Sequence, residues 1–130
     1  MLRRINPESI MAPVNNAYVH GVLIPAGAEV LHISGQVGAD RDGHVPPDPA
    51  EQAELAWSNV MAIVRAAGTE ASHIAKLTAY VVDEAAFPAY ATARNRDLGE
   101  GSRVAATAVY VPRLVRPEWK IEIEAIAARA

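Results

Sequence analysis

A chain of 130 residues, 51% hydrophobic and 21% charged, is sized for one folded domain around one core and is too apolar to be disordered. Its formal net charge of −3 offers no electrostatic footprint for nucleic-acid phosphates, and no run of Lys or Arg makes a local one, so a nucleic-acid partner is not expected. The absence of cysteine excludes disulfides, thiol nucleophiles, iron–sulfur clusters and Cys-ligated zinc, and fits a reducing cytoplasm.

Residues 1–15 carry Pro7 and Pro13 without periodicity and are expected to be irregular. Asn6-Pro7-Glu8-Ser9 interrupts the chain behind Arg3 and Arg4, so no signal peptide is expected. No apolar run approaches the roughly 18–20 residues a membrane span needs. Residues 17–24 and 30–38 read as strands around the turn Pro25-Ala26-Gly27-Ala28, which predicts a hairpin. Asp40-Arg41-Asp42-Gly43 has the opening of a calcium loop without its later acidic ligands, so a turn is expected and no metal.

Helix signals follow. Asp48 can cap, Pro49 suits the first helical position, and Glu51 stands three residues after Asp48. Ala56, Val60, Ile63, Val64 and Ala67 form one apolar stripe, and Gly68 is placed to stop the helix in a left-handed conformation. Residues 74–82 read as a strand. Asp83 can cap a second helix bearing Phe87, Tyr90, Ala91 and Leu98 on one face, closed by Gly99 and Gly101. Residues 104–111 and 120–127 are the last strands.

The order β-β-α-β-α-β-β over a single domain, residues 1–130, predicts an α+β two-layer sandwich, a mixed sheet with both helices on one face. The uncovered face is expected to expose Val, Ile and Ala, and self-association is the simplest way to bury it.

The last strand alternates strictly. Ile121, Ile123, Ala125 and Ala127 share one face, while Lys120, Glu122, Glu124 and Ile126 share the other. The two carboxylates stand roughly 6.5–7 Å apart along the strand. Like charges at that spacing raise each other's pKa where water is scarce, which suits general acid–base chemistry. The competing reading has both simply facing solvent on a half-buried sheet. The histidines His20, His32, His44 and His73 lack zinc-type spacing, and His32 is expected to share a strand face with Ser34 and Gln36. Ser34 stands outside any nucleophile-elbow motif.

Several pieces then match one family together. They are Tyr18-Val19-His20-Gly21, Ser34-Gly35-Gln36-Val37, Gln52-Ala53 with Asn59-Val60, Ala66-Ala67-Gly68, Val82-Asp83 with Phe87, and the run from Ile121 to Ala127. Their order and spacing resemble the YjgF/YER057c/UK114 family, also called the Rid family of reactive-intermediate deaminases and, in older names, endoribonuclease L-PSP. The resemblance implies a chorismate-mutase-like fold and a homotrimer with a small-molecule cleft between subunits. It also implies, in the best-understood branch, hydrolysis of enamines and imines to keto compounds and ammonia.

Tyr18, Gly35 and Glu122 fall on the family's cleft positions, and the backbone of Ser34, Gly35 and Gln36 is expected to approach a ligand closely. The family arginine that grips a substrate carboxylate falls on Ala106 when counted back from Arg113-Leu114, rather than on Arg103; a second cleft position falls on Ala91. The chain thus resembles an arginine-lacking branch. The alignment expects Ala106 to face Glu122, Glu122 to have no cationic neighbour, and simple 2-imino acids to be poor substrates. Arg94 is a candidate replacement cation, with an outward, solvent-facing role as the alternative. Glu122 is the expected catalytic residue and no cofactor is expected. A non-catalytic metabolite-binding trimer stays open beside the hydrolase, and a ribonuclease or translation-inhibitor role is disfavoured by charge.

Overall fold

The computed structural model, which describes residues 1–99 and 104–130, runs β1 (Arg3–Ile5), β2 (Gly21–Leu23), β3 (Glu29–Val37), α1 (Pro49–Ala66), β4 (Ile74–Val81), α2 (Ala86–Leu98), β5 (Ala105–Tyr110) and β6 (Ile121–Arg129). Gly101 and Arg103 lie outside the described residues. The main sheet has the order β3-β6-β4-β5, with β6 antiparallel to both neighbours and β5 parallel to β4. The final strand is therefore central, and its alternation explains why. Ile121, Ile123, Ala125 and Ala127 join Leu77, Ala79 and Val81 of β4 in one buried surface, and both helices pack on that side.

The helices start and stop for local reasons. The Asp48 side chain accepts a hydrogen bond from the Ala50 N–H (3.1 Å) at the head of α1. Gly68, at φ 73°, ends that helix as expected. The second helix begins later than Asp83. That carboxylate instead accepts from the Ala85 N–H (2.9 Å), capping the turn before α2. Pro88 is the reason, since proline is tolerated only in a helix's first turn. Trp57, 1% exposed, joins the two helices by donating from its indole Nε1 to Oδ2 of Asp97 (2.6 Å) while its ring meets Tyr90 edge-on.

Three expectations need correction. Residues 1–15 contain β1 and the start of a 3₁₀ turn, Val14–Asn16. The predicted hairpin does not form: β2 pairs with β1, while β3 pairs with β6 from Glu29↔Arg129 to Val37↔Glu122. The long alternating β6 offers β3 a continuous apolar face, which a three-residue strand cannot. The open sheet face does carry Val30, Val37, Ala105, Val109 and Ile126, as expected, but it is mixed rather than simply apolar: His32 and Ser34 on β3, Lys76, Thr78 and Tyr80 on β4, Thr107 on β5, and Glu122 and Glu124 on β6 share it.

Candidate functional site

A β-bulge builds the first half of the site. Ile33 pairs with Ala125 and Gln36 with Ile123, so Ser34 and Gly35 together oppose Glu124 alone. The extra residue breaks the alternation of β3. Gln36 now aligns with core-facing Ile123, and its amide Nε2 donates back to the Ser34 carbonyl (3.0 Å). His32, Ser34 and Gln36 therefore do not share a face. The bulge also brings Gly35 against Glu122: a β-carbon on Gly35 would lie 2.0 Å from the Glu122 Oε2. Only glycine lets the backbone run this close to that carboxylate.

Glu122 and Glu124 are both half-buried on the open face. A groove of about 600 Å³ is lined by Gly35, Tyr80, Arg113, Leu114, Glu122 and Glu124, with Val111 and Val115 beside them. The Tyr80 hydroxyl donates to Oε1 of Glu124. That bond first, then burial, then the charges of Glu124 and Glu122, hold the Tyr80 phenol above its ordinary ionisation range. Among the described residues the Glu122 carboxylate has no hydrogen-bond or ion-pair partner. Arg113 lines the same groove without forming an ion pair with Glu122. Arg113 sits in an irregular stretch between β5 and β6, where no periodicity could have marked it.

The remaining candidates collect at the other edge of the sheet. Val19 bridges to Ala105 and donates its N–H to the Val104 carbonyl (2.9 Å), which sets Tyr18 beside the start of β5. The Tyr18 hydroxyl accepts from the Val14 N–H (3.3 Å), and its ring meets His20 edge-on. Arg94 donates to the Ala17 carbonyl and lies 5.9 Å from the Tyr90 ring centre. Arg94 is half-buried and does not line the Glu122 groove of its own chain. Burial pushes the Tyr90 phenol up, and the Arg94 charge partly offsets this. Ala106 pairs with Leu77, on the helix-covered side, and packs against the core. Glu122 pairs with Tyr80 on the open side. Ala106 and Glu122 therefore point to opposite faces and do not face one another within one chain. Farther along β5, Phe87, Ala108, Val109, Tyr110 and Val81 line an apolar pocket of about 180 Å³.

The Asp40 loop is a turn, as expected. Asp40 Oδ1 accepts from the N–H groups of His44 and Asp42 (2.9 Å each), and the first of these bonds does most to hold the Asp40 carboxyl below its usual range. Ligand atoms of Asp40, Asp42 and His44 lie within 4.8 Å of one another, but all three residues are exposed. No helix among the described residues is long and apolar enough to cross a membrane.

A family model described as endoribonuclease L-PSP matches residues 9–129. The 2-iminobutanoate/2-iminopropanoate deaminase of Escherichia coli K12 is 36% identical over 137 aligned residues, covering 99% of each chain. The solved Rid-family protein YyfB of Yersinia pestis superposes with a TM-score of 0.85 at 29% identity, covering 98% of each chain. Escherichia coli TdcF, solved with bound serine, superposes with a TM-score of 0.69 at 32% identity, covering 93% of this chain and 91% of its own. With its sheet, helices and nearly full length matched, this chain belongs to the endoribonuclease L-PSP family, the YjgF/Rid proteins.

Proposed function

We propose that the protein is a hydrolase that converts a small enamine or imine to a carbonyl compound and ammonia, working as a homotrimer in the cytoplasm. The observation that carries this reading is the placement of Glu122, a carboxylate without a side-chain partner among the described residues and held against the Gly35 backbone in a groove of small-metabolite size. The deaminase name of the Escherichia coli relative supports the same chemistry. In the first step a water adds to the C=N carbon, its proton passes to Glu122, and the π electrons move to nitrogen. Glu122 then returns the proton to nitrogen, giving a carbinolamine; it next takes the hydroxyl proton and passes it to the amino nitrogen, so that the carbonyl forms as the C–N bond breaks and ammonia leaves. No cofactor enters this sequence.

The division of the site supports self-association. Glu122 and Gly35 lie on one face, while Tyr18, Arg94 and Ala106 gather at the opposite edge, so a ligand touching both sets needs two copies. The substrate proposed here lacks the α-carboxylate of 2-imino acids, because the position matching the family arginine is Ala106. The apolar pocket at Phe87, Ala108 and Tyr110 suits a hydrocarbon substituent.

The test uses imines generated in place. A flavin amine oxidase supplies carboxylate-free imines and an amino-acid oxidase supplies 2-imino acids. Carbonyl release should accelerate with the first set and hardly at all with the second. Strong acceleration of 2-imino acid hydrolysis would show that Arg113 or Arg94 grips the carboxylate. A trimer that binds without turnover is the second reading, favoured by Ala91 and Ala106 at two inferred cleft positions.

In the same assay, Gly35→Ala should lower turnover by about a hundredfold, because the new methyl group displaces the Glu122 carboxylate by more than about 1 Å. The displaced atoms are the mobile end of a half-exposed side chain, so thermal unfolding should register a loss under about 1 kcal/mol. Unchanged turnover would mean that the contact does not position Glu122.

A further inference from the structure

Tyr80 stands in register opposite Glu122, yet its hydroxyl donates along the diagonal to Glu124, which is itself opposite Thr78. The result is two carboxylates on one strand face with different surroundings. Glu124 holds a phenol donor, and Glu122 has no partner among the described residues. We propose that Tyr80 is a positioning residue that ties Glu124 into the sheet and leaves Glu122 as the single carboxylate free to exchange protons with a bound molecule. This rests on the reading of Glu122 as the proton-handling group and adds an assignment of unequal roles to the two glutamates.

The neighbouring charges do not make this distinction. Lys76 and His32 border Glu124 on the open face, but the Lys76 amino group donates to the Thr107 hydroxyl (2.9 Å). Arg113 borders the groove shared by both glutamates. None of the three pairs with either carboxylate among the described residues. Among the described residues Tyr80 thus supplies the one side-chain bond there that separates Glu124 from Glu122. A hydrogen bond to a charged acceptor is strong enough to fix a side chain that would otherwise sample the groove.

Coupling of a small amine to carboxyl groups by a water-soluble carbodiimide, read by peptide mass spectrometry on the full-length protein, tests the lock without any substrate. In the wild type Glu122 should be modified about tenfold faster than Glu124, the ratio that a bond of roughly 1.4 kcal/mol imposes. In Tyr80→Phe the two rates should converge. Equal rates in the wild type, or a ratio that survives Tyr80→Phe, overturn the proposal.

Glu124→Gln, which leaves Tyr80 in place, provides a second check. The phenol should then ionise at lower pH in a spectrophotometric titration, and an unmoved midpoint also counts against the pairing. With carboxylate-free imines, the acid limb of the pH–rate profile should involve one proton in the wild type and two in Tyr80→Phe. It should return to one in Tyr80→Phe/Glu124→Gln, with turnover recovering, which a merely structural role would not produce. The labelling ratio judges the Tyr80 lock, whereas absence of hydrolysis by the wild type would remove the hydrolase reading.

Discussion

Glu122→Gln should lower imine hydrolysis by about 10²–10⁴-fold, the usual contribution of a positioned general acid–base group. The amide keeps the size of the side chain and its van der Waals contact with Gly35, but it cannot take the proton from the attacking water. The Glu122 carboxylate forms no hydrogen bond or ion pair among the described residues, so the fold loses no such contact when its charge is removed. Unfolding free energy should therefore stay within about 0.5 kcal/mol of wild type. Kinetics on amine-oxidase imines, beside a denaturant titration of the same preparation, checks both halves. Wild-type turnover by Glu122→Gln would defeat the acid–base reading. A destabilisation of several kcal/mol would show instead that the carboxylate is a structural element. The conservative Glu122→Asp provides a graded control, because a carboxylate shortened by one methylene retains the chemistry and loses the geometry.

The parts of this architecture legible in sequence were those written in short-range periodicity. The alternation from Ile121 to Ala127 set both the buried face of β6 and the outward direction of Glu122 and Glu124, and the sheet preserves both. Asp48-Pro49 and Gly68 marked the two ends of α1 because capping is a local matter. What escaped depends on pairings distant in sequence. The bulge at Ser34-Gly35 is a mismatch of count between β3 and β6, and within β3 its only trace is a glycine in a strand. That one-residue slip moved Gln36 away from the His32 and Ser34 side. The Tyr80–Glu124 bond joins residues 44 apart along a diagonal that neither strand reveals alone. Within one chain Ala106 does not face Glu122, for a related reason, and only a second copy could bring the two together. Alignment by residue count says which positions correspond, but the register Leu77↔Ala106 and Tyr80↔Glu122 decides which way each side chain points.

Gln52→Leu should be the costliest single change to the fold, at about 3–5 kcal/mol, because it strands several buried polar groups at once. Gln52 is 1% exposed on the inner side of α1. Its amide Nε2 donates to the carbonyls of Pro46 (2.9 Å) and Glu118 (2.8 Å), and its Oε1 accepts from the Lys120 N–H (2.8 Å). One side chain thus ties the loop before α1 to the loop that leads into β6. The Lys120 carbonyl in turn accepts from the Val82 N–H (2.8 Å), so the same residue carries the connection onward to the end of β4. Leucine matches the volume but satisfies none of these three groups, and the tight helix–sheet contact gives water little room to replace the amide. In a chain of this length a loss of that size should lower the melting temperature by on the order of 10–20 °C. A shift of a degree or two would mean that the loops find other partners. The effect should reach the site as well. Lys120 lies two residues before Glu122, so loosening the entry to β6 should reduce turnover even well below the melting temperature. Gln52→Glu separates the two contributions, because a carboxylate can still accept from Lys120 but has no hydrogens to offer Pro46 and Glu118. If entry to β6 controls Glu122, Gln52→Glu should retain more activity than Gln52→Leu when each is assayed at the same distance below its own melting point.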